Sequence, residues 1–182
     1  MDRHHLHAQS CLKVHQSRAG LEQTIIVAVA PIEGVSAMYK HILVATDGSE
    51  ISERAVAHAT ELAQKLKTRL LIVTITEPFH ILSLGVEQLE STRPEYNRHM
   101  VEHAQTVLAS AVKVASEVGV ECQIIYRSAE HPYAAILNVA NDRGCDLIVV
   151  GSHGRRGLSS LLLGSTTTKI LAHSALPILV VR

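Results

Sequence analysis

The sequence predicts an α/β fold, a single doubly wound domain whose parallel sheet carries helices on both faces. Three observations lead there. Strand-like and helix-like segments alternate from residue 41 to the end in the order βαβαβαβαβ. The strand-like segments are apolar almost throughout rather than at every second position, which marks strands buried on both faces. A chain of 182 residues without an internal repeat suits one domain with a substantial core.

The elements follow in order. Residues 1–37 carry no helical or strand period, and four histidines fall within the first fifteen residues, so a mobile, dispensable extension is expected there. Within it only "TIIVAVAPI" has the composition to add a strand or dock on the surface. From Met38 the patterning sharpens. "HILVAT" (41–46) reads as a buried strand ended by the turn Asp47-Gly48-Ser49. "SERAVAHATELAQKLK" sets Ala55, Ala59, Leu62, Ala63 and Leu66 on one helical face. "RLLIVTIT" (69–76) is a β-branched strand stopped by Glu77-Pro78, and 79–93 read as a loop or short irregular helix. A long helix after Pro94 presents Met100, Ala104, Val107, Leu108, Ala111, Ala115 and Val118, with Gly119 as its cap. "VECQIIY" (120–126) is the third strand, Pro132 opens a helix to Arg143, and "DLIVV" (146–150) is the fourth strand. "STTTKILAHS" forms a short helix and "PILVVR" the closing strand.

Composition excludes several functions. Seventeen basic residues balance seventeen acidic ones, so no global field attracts nucleic acid or an anionic membrane. With no Trp, one Phe and four Tyr there is little on which single-stranded bases could stack. Three cysteines without C-x-x-C spacing fit neither a disulfide framework nor a zinc knuckle, and suit a reducing cytoplasm. No apolar run approaches the ~20 residues of a membrane helix. The Ala28-Val29-Ala30 element has too short an apolar core, with Glu22 before it and Pro31 after it, to read as an export signal.

The chemistry concentrates at two loops. In an open parallel sheet, ligands bind beyond the carboxyl ends of the strands, where the strand order reverses. Asp47-Gly48-Ser49 follows the first strand and "GSHGRRGLSSLLLGST" (151–166) follows the fourth. Asp47 alone reads as a turn residue capping a helix. Gly151, Gly154 and Gly164, followed by Ser165 and Thr166 at a helix start, exceed what a tight loop requires. Glycines admit positive φ and close approach of a ligand, and hydroxyls beside a helix start suit a phosphate. The segment is not a Walker A motif, and no G-x-G-x-x-G follows the first strand.

The spacing G-x2-G-x9-G-[ST], carried by Gly151, Gly154, Gly164 and Ser165, resembles the signature of the ATP-binding branch of the universal stress protein family. "MYKHILVATDGSEISERAVAHA" and "DLIVVGSHGRRGLSSLLLGSTTTKILAHSALPILVVR" are similar to that family's two ends, and the likeness runs from Met38 to Arg182. It implies a five-stranded parallel sheet in the order 3-2-1-4-5, which sets Asp47 opposite the glycine loop. It further implies that Asp47 touches the nucleoside and that Ile75 lines the adenine pocket. Gly151 and Gly154 would pass under ribose and phosphates, with Gly164, Ser165 and Thr166 donating to the phosphates. Arg155 and Arg156 are expected to screen charge at the rim. The implied cofactor is ATP or another adenine nucleotide, with or without Mg2+, in a cytoplasmic stress-response protein. The last strand, short, apolar and terminal, is expected at a sheet edge where a homodimer pairs. Nothing is implied for residues 1–37.

Rival chemistries are weaker. His99-Met100-Val101-Glu102-His103 fits H-x-x-E-H, yet a third ligand is missing and short matches arise by chance in a chain with twelve histidines. There is no G-x-S-x-G elbow, and Cys145 at a strand start reads as packing. Two classes of function remain: a nucleotide-binding regulatory protein, and a slow ATP hydrolase or phosphate-transferring enzyme on the same site. No general base is specified, so the expectation is binding without designated catalytic residues.

Overall fold

In the computed structural model, the described residues are 38–78, 93–154 and 163–182, with two backbone segments before them. The elements are β1 (Lys13–Gln16), β2 (Gln23–Ile26), β3 (His41–Ala45), α1 (Glu50–Leu66), β4 (Arg69–Thr76) and α2 (Arg93–Glu117). There follow β5 (Cys122–Ser128), α3 (Pro132–Asp142), β6 (Leu147–Gly151), α4 (Ser165–His173) and β7 (Ile178–Val181). The loop expected at 79–93 falls, up to residue 92, outside the described residues, as do Arg155 and Arg156.

Strands β5, β4, β3, β6 and β7 form the five-stranded parallel sheet in the expected order 3-2-1-4-5. Beyond β5 two further strands extend it: β2 pairs antiparallel with β5, and β1 pairs antiparallel with β2. Gln23–Ile26 overlaps the one segment of the extension with strand composition. The strand at Lys13–Gln16 has no signal in the sequence. An open edge offers its backbone groups to any extended chain, so pairing of this kind needs no apolar period.

The period of two along each parallel strand divides the core. Ile42, Val44, Leu70, Ile72, Leu147 and Val149 face one cluster with Ala55, Ala59 and Ala63 of α1 and Ala104, Leu108 and Ala111 of α2. Leu43, Leu71, Val73, Ile148 and Val150 face the other, against Ile136, Val139 and Ala140 of α3 and Ile170 of α4. Each large apolar side chain buried this way contributes roughly 1.5–3 kcal/mol. Small residues on α1 let it lie close to the sheet, and α2 packs on its neighbour through alanines. Val118, expected on the buried face of α2, is 42% exposed. Helix α2 ends at Glu117, and Val118 belongs to the turn after it.

The amino-terminal end of the sheet is closed by Asp146. Its carboxylate accepts hydrogen bonds from the backbone N–H of Lys40 at 2.8 Å and of His41 at 3.0 Å, joining β3 to the start of β6. The His41 ring beside it is 2% exposed. Its Nδ1 donates to the Arg143 carbonyl at 3.0 Å, while Nε2 has no hydrogen-bond partner. Burial, reinforced by the positive charge of Arg69, holds the His41 pKa below its ordinary value. Cys145 is buried nearby, and burial pushes its thiol up to about 12. That makes Cys145 a packing residue, as expected.

Candidate functional site

At the other end of the sheet the strands open on a cleft of about 580 Å3. Strands β3 and β6 are direct neighbours, Ala45 opposite Val150, so the turn after one faces the loop after the other. All seven residues singled out from the sequence lie on this cleft: Asp47, Ile75, Gly151, Gly154, Gly164, Ser165 and Thr166.

The turn after β3 is built from short polar side chains. Ser49 donates to Asp47 Oδ1 through its N–H at 3.0 Å and its hydroxyl at 2.6 Å. Ser49 in turn caps α1, accepting from the Ser52 N–H at 3.4 Å. Thr46 and Ser52 share a buried hydroxyl–hydroxyl bond of 3.0 Å. Asp47 therefore is a turn residue, as the bland reading holds. Both Ser49 bonds fall on Oδ1. The other oxygen, Oδ2, faces Gly154: a Cβ on residue 154 would stand 2.5 Å from it. A side chain at 154 would have to push the Asp47 carboxylate from this position.

The motif glycines serve close approach and not unusual torsions. None of Gly151, Gly154 or Gly164 has positive φ. Gly164 lines the cleft and also lies against its own loop: a Cβ there would stand 3.1 Å from His153 Cα. Its N–H donates to the Ser152 carbonyl at 2.7 Å, which ties the far end of the glycine segment back to its start. Glycine at 164 lets the two ends of the loop close on each other.

Helix α4 starts from this closure. Gly164 is its N-cap, with no side-chain cap and no acidic residue in the first turn. Thr167 turns inward and donates to the Gly151 carbonyl at 2.8 Å, anchoring the helix to β6. Ser165 is exposed and Thr166 half-buried on the cleft wall. Contrast α1, whose N-cap Ser49 bonds Ser52 and whose first turn holds Glu50 and Glu53. An uncapped start with hydroxyls and no carboxylates presents backbone N–H groups and positive dipole to an anion.

Several lining residues were not singled out. Thr46, Glu77, Tyr96, Met100, His153 and Thr167 all reach the cleft. Tyr96 donates through its hydroxyl to the Glu77 carbonyl at 3.5 Å, bringing the start of α2 to the end of β4. Thr46 and His153 stood beside motif residues and were findable. Tyr96 and Met100 come from a helix whose docking against β4 no local pattern announces. Of the H-x-x-E-H residues, His99 and Glu102 are exposed on α2, where His99 contacts Glu95 and Glu102 at 3.8 Å each, while His103 is half-buried. Among the described residues no group of three metal-ligating side chains converges.

The universal stress protein family model matches residues 38–182. The chain belongs to that family. Among universal stress proteins, YxiE of Bacillus subtilis is 33% identical over 149 residues, covering 80% of this chain and 100% of the relative. The solved structure of MJ0577, a universal stress protein of Methanocaldococcus jannaschii, superposes with a TM-score of 0.68. It is 30% identical and covers 79% of this chain and 96% of its own. A universal stress protein solved in complex with cAMP is 28% identical, with a TM-score of 0.55 and coverage of 81% and 98%. In this universal stress protein no helix among the described residues is long and apolar enough to cross a membrane.

Proposed function

We propose that the chain is an adenine-nucleotide-binding regulatory protein of the stress response, with ATP as the leading ligand, with or without Mg2+. One observation carries the reading: a single cleft holds both a carboxylate turn at the end of β3 and the uncapped, carboxylate-free start of α4. The first suits the hydroxyls of a sugar, and the second suits phosphates. Asp47 receives the nucleoside, Ile75 forms the apolar wall for the base, and Gly151 and Gly154 form the floor. Ser165 and Thr166 donate to phosphate through backbone N–H groups and hydroxyls, and Gly164, whose N–H is held by the Ser152 carbonyl, closes the loop beneath them. The family relative bound to cAMP supports an adenylate in this fold. No lining residue is assigned a catalytic role. Among the described residues the lining carboxylates are Asp47 and Glu77, and Asp47 is engaged at Ser49. A reducing cytoplasm suits the buried thiols of Cys122 and Cys145. We also propose a homodimer paired along β7, an edge strand that leaves Leu179 39% exposed.

Mass spectrometry of the small molecules released from purified, denatured protein tests the reading. An adenine nucleotide near one per chain is expected. A released ligand without adenine, at that stoichiometry, would overturn it.

A further inference from the structure

Beside the cleft, between α3 and α4, lies a group that the nucleotide reading does not use. The Lys169 ammonium sits 5.3 Å from the centroid of the Tyr133 ring. That ring also lies near His131, at 6.1 Å between centroids, and His173, at 5.5 Å. Cations favour an aromatic face at this range, which biases the exposed lysine toward the ring.

Its surroundings differ from those of other helix lysines in this chain. Lys65 pairs with Glu61 at 2.6 Å and Lys113 with Glu117 at 4.0 Å, both four residues apart on one helix. The residue four before Lys169 is Ser165, on the cleft wall. Among the described residues no carboxylate pairs with Lys169. Neither α3 nor α4 has an acidic residue in its first turn. Glu130, next to His131 in sequence, is exposed, and Asp142 at the far end of α3 pairs with Arg127 at 3.9 Å. Pro132, adjacent to Tyr133, lines the cleft. Ser165 and Lys169 share a helix face about 6 Å apart along the axis, a rise the lysine stem spans.

We propose that Lys169, braced on Tyr133, is a specificity-determining residue that favours nucleotides carrying further phosphates over the monophosphate. The inference rests on the adenylate reading of the cleft. A phosphate chain that continues from the start of α4 toward the α3–α4 rim would meet Lys169, an exposed cation beside the cleft among the described residues. Lys169 contributes little to AMP, whose single phosphate is satisfied by the helix start.

Calorimetric titration of AMP, ADP and ATP into wild type, Lys169→Met, Lys169→Arg and Tyr133→Leu tests it. Lys169→Met should reduce the ATP-to-AMP affinity ratio about tenfold with AMP affinity within about twofold of wild type, the scale of one charge-assisted contact. Lys169→Arg should retain the ratio, and Tyr133→Leu should fall between. The wild-type preference for ATP should shrink with added salt. An unchanged ratio in Lys169→Met, or equal losses for AMP and ATP, would overturn the proposal. Wild type that binds none of the three would overturn the cleft reading itself, and this inference with it.

Discussion

Two aspartates stand at the two ends of the same sheet, and they do different work. Asp146, at the amino-terminal end, uses both carboxylate oxygens on backbone N–H groups of Lys40 and His41. Asp47, at the carboxyl end, uses Oδ1 on Ser49 and turns Oδ2 toward a glycine that leaves it room. Around Asp146 the end is sealed, with His41 and Cys145 buried. Around Asp47 a cleft of about 580 Å3 opens. In sequence the two look alike, each a single acid bordering an apolar strand. The end of the sheet on which the acid falls separates a strut from a group on the wall of the cleft.

The largest effect is expected where the contrast depends on missing atoms. Gly154→Val would place a side chain where Asp47 Oδ2 lies, 2.5 Å from the new Cβ. Adenylate affinity should fall on the order of a hundredfold, about 3 kcal/mol, by calorimetry. Circular dichroism should retain the wild-type spectrum, because the displaced groups sit outside the core. Retained affinity would mean that Asp47 and the glycine loop do not act together.

Asp146→Ala should do the reverse. It leaves a part-buried N–H at His41 without its acceptor, a cost of about 1–3 kcal/mol in chemical denaturation. The folded fraction should bind adenylate within about twofold of wild type. A binding loss comparable to that of Gly154→Val would erase the distinction between the two ends.

The sealed end also predicts a pH response. Folding holds His41 neutral, with a pKa below its ordinary value of 6.5. Below about pH 6.5 the unfolded chain takes up that proton more readily than the folded one, so stability declines as pH falls. The decline ends once pH passes the folded-state pKa. Melting temperatures from pH 8 to pH 5 should fall less for His41→Gln than for wild type. Parallel curves would show that His41 is not the group responsible.

Much of the fold was legible because parallel strands buried on both faces must be apolar, and "RLLIVTIT" spans β4 from its first residue to its last. At the covered edge of β5, β2 was legible in part, since it overlaps "TIIVAVAPI", whereas β1 was not, because it is held by backbone pairing. The seven candidate residues fall on one cleft because glycines and hydroxyls after a buried strand are rarely needed for packing alone. At 164 glycine also lets the loop close on His153, a role that the motif does not announce. Tyr96 and Met100 escaped notice because a helix face reports its own burial and not which strand end it overhangs.

The most direct measurement is calorimetric titration of ATP and of inorganic triphosphate into wild type and Asp47→Ala. Wild type should bind ATP. Asp47→Ala should bind ATP more weakly, by about 1.5–3 kcal/mol for a lost charged hydrogen bond, with triphosphate affinity nearly unchanged. That pattern would assign Asp47 to the nucleoside and the start of α4 to the phosphates. Wild type with no adenylate binding up to millimolar concentration, or a variant that loses ATP and triphosphate equally, would contradict the account.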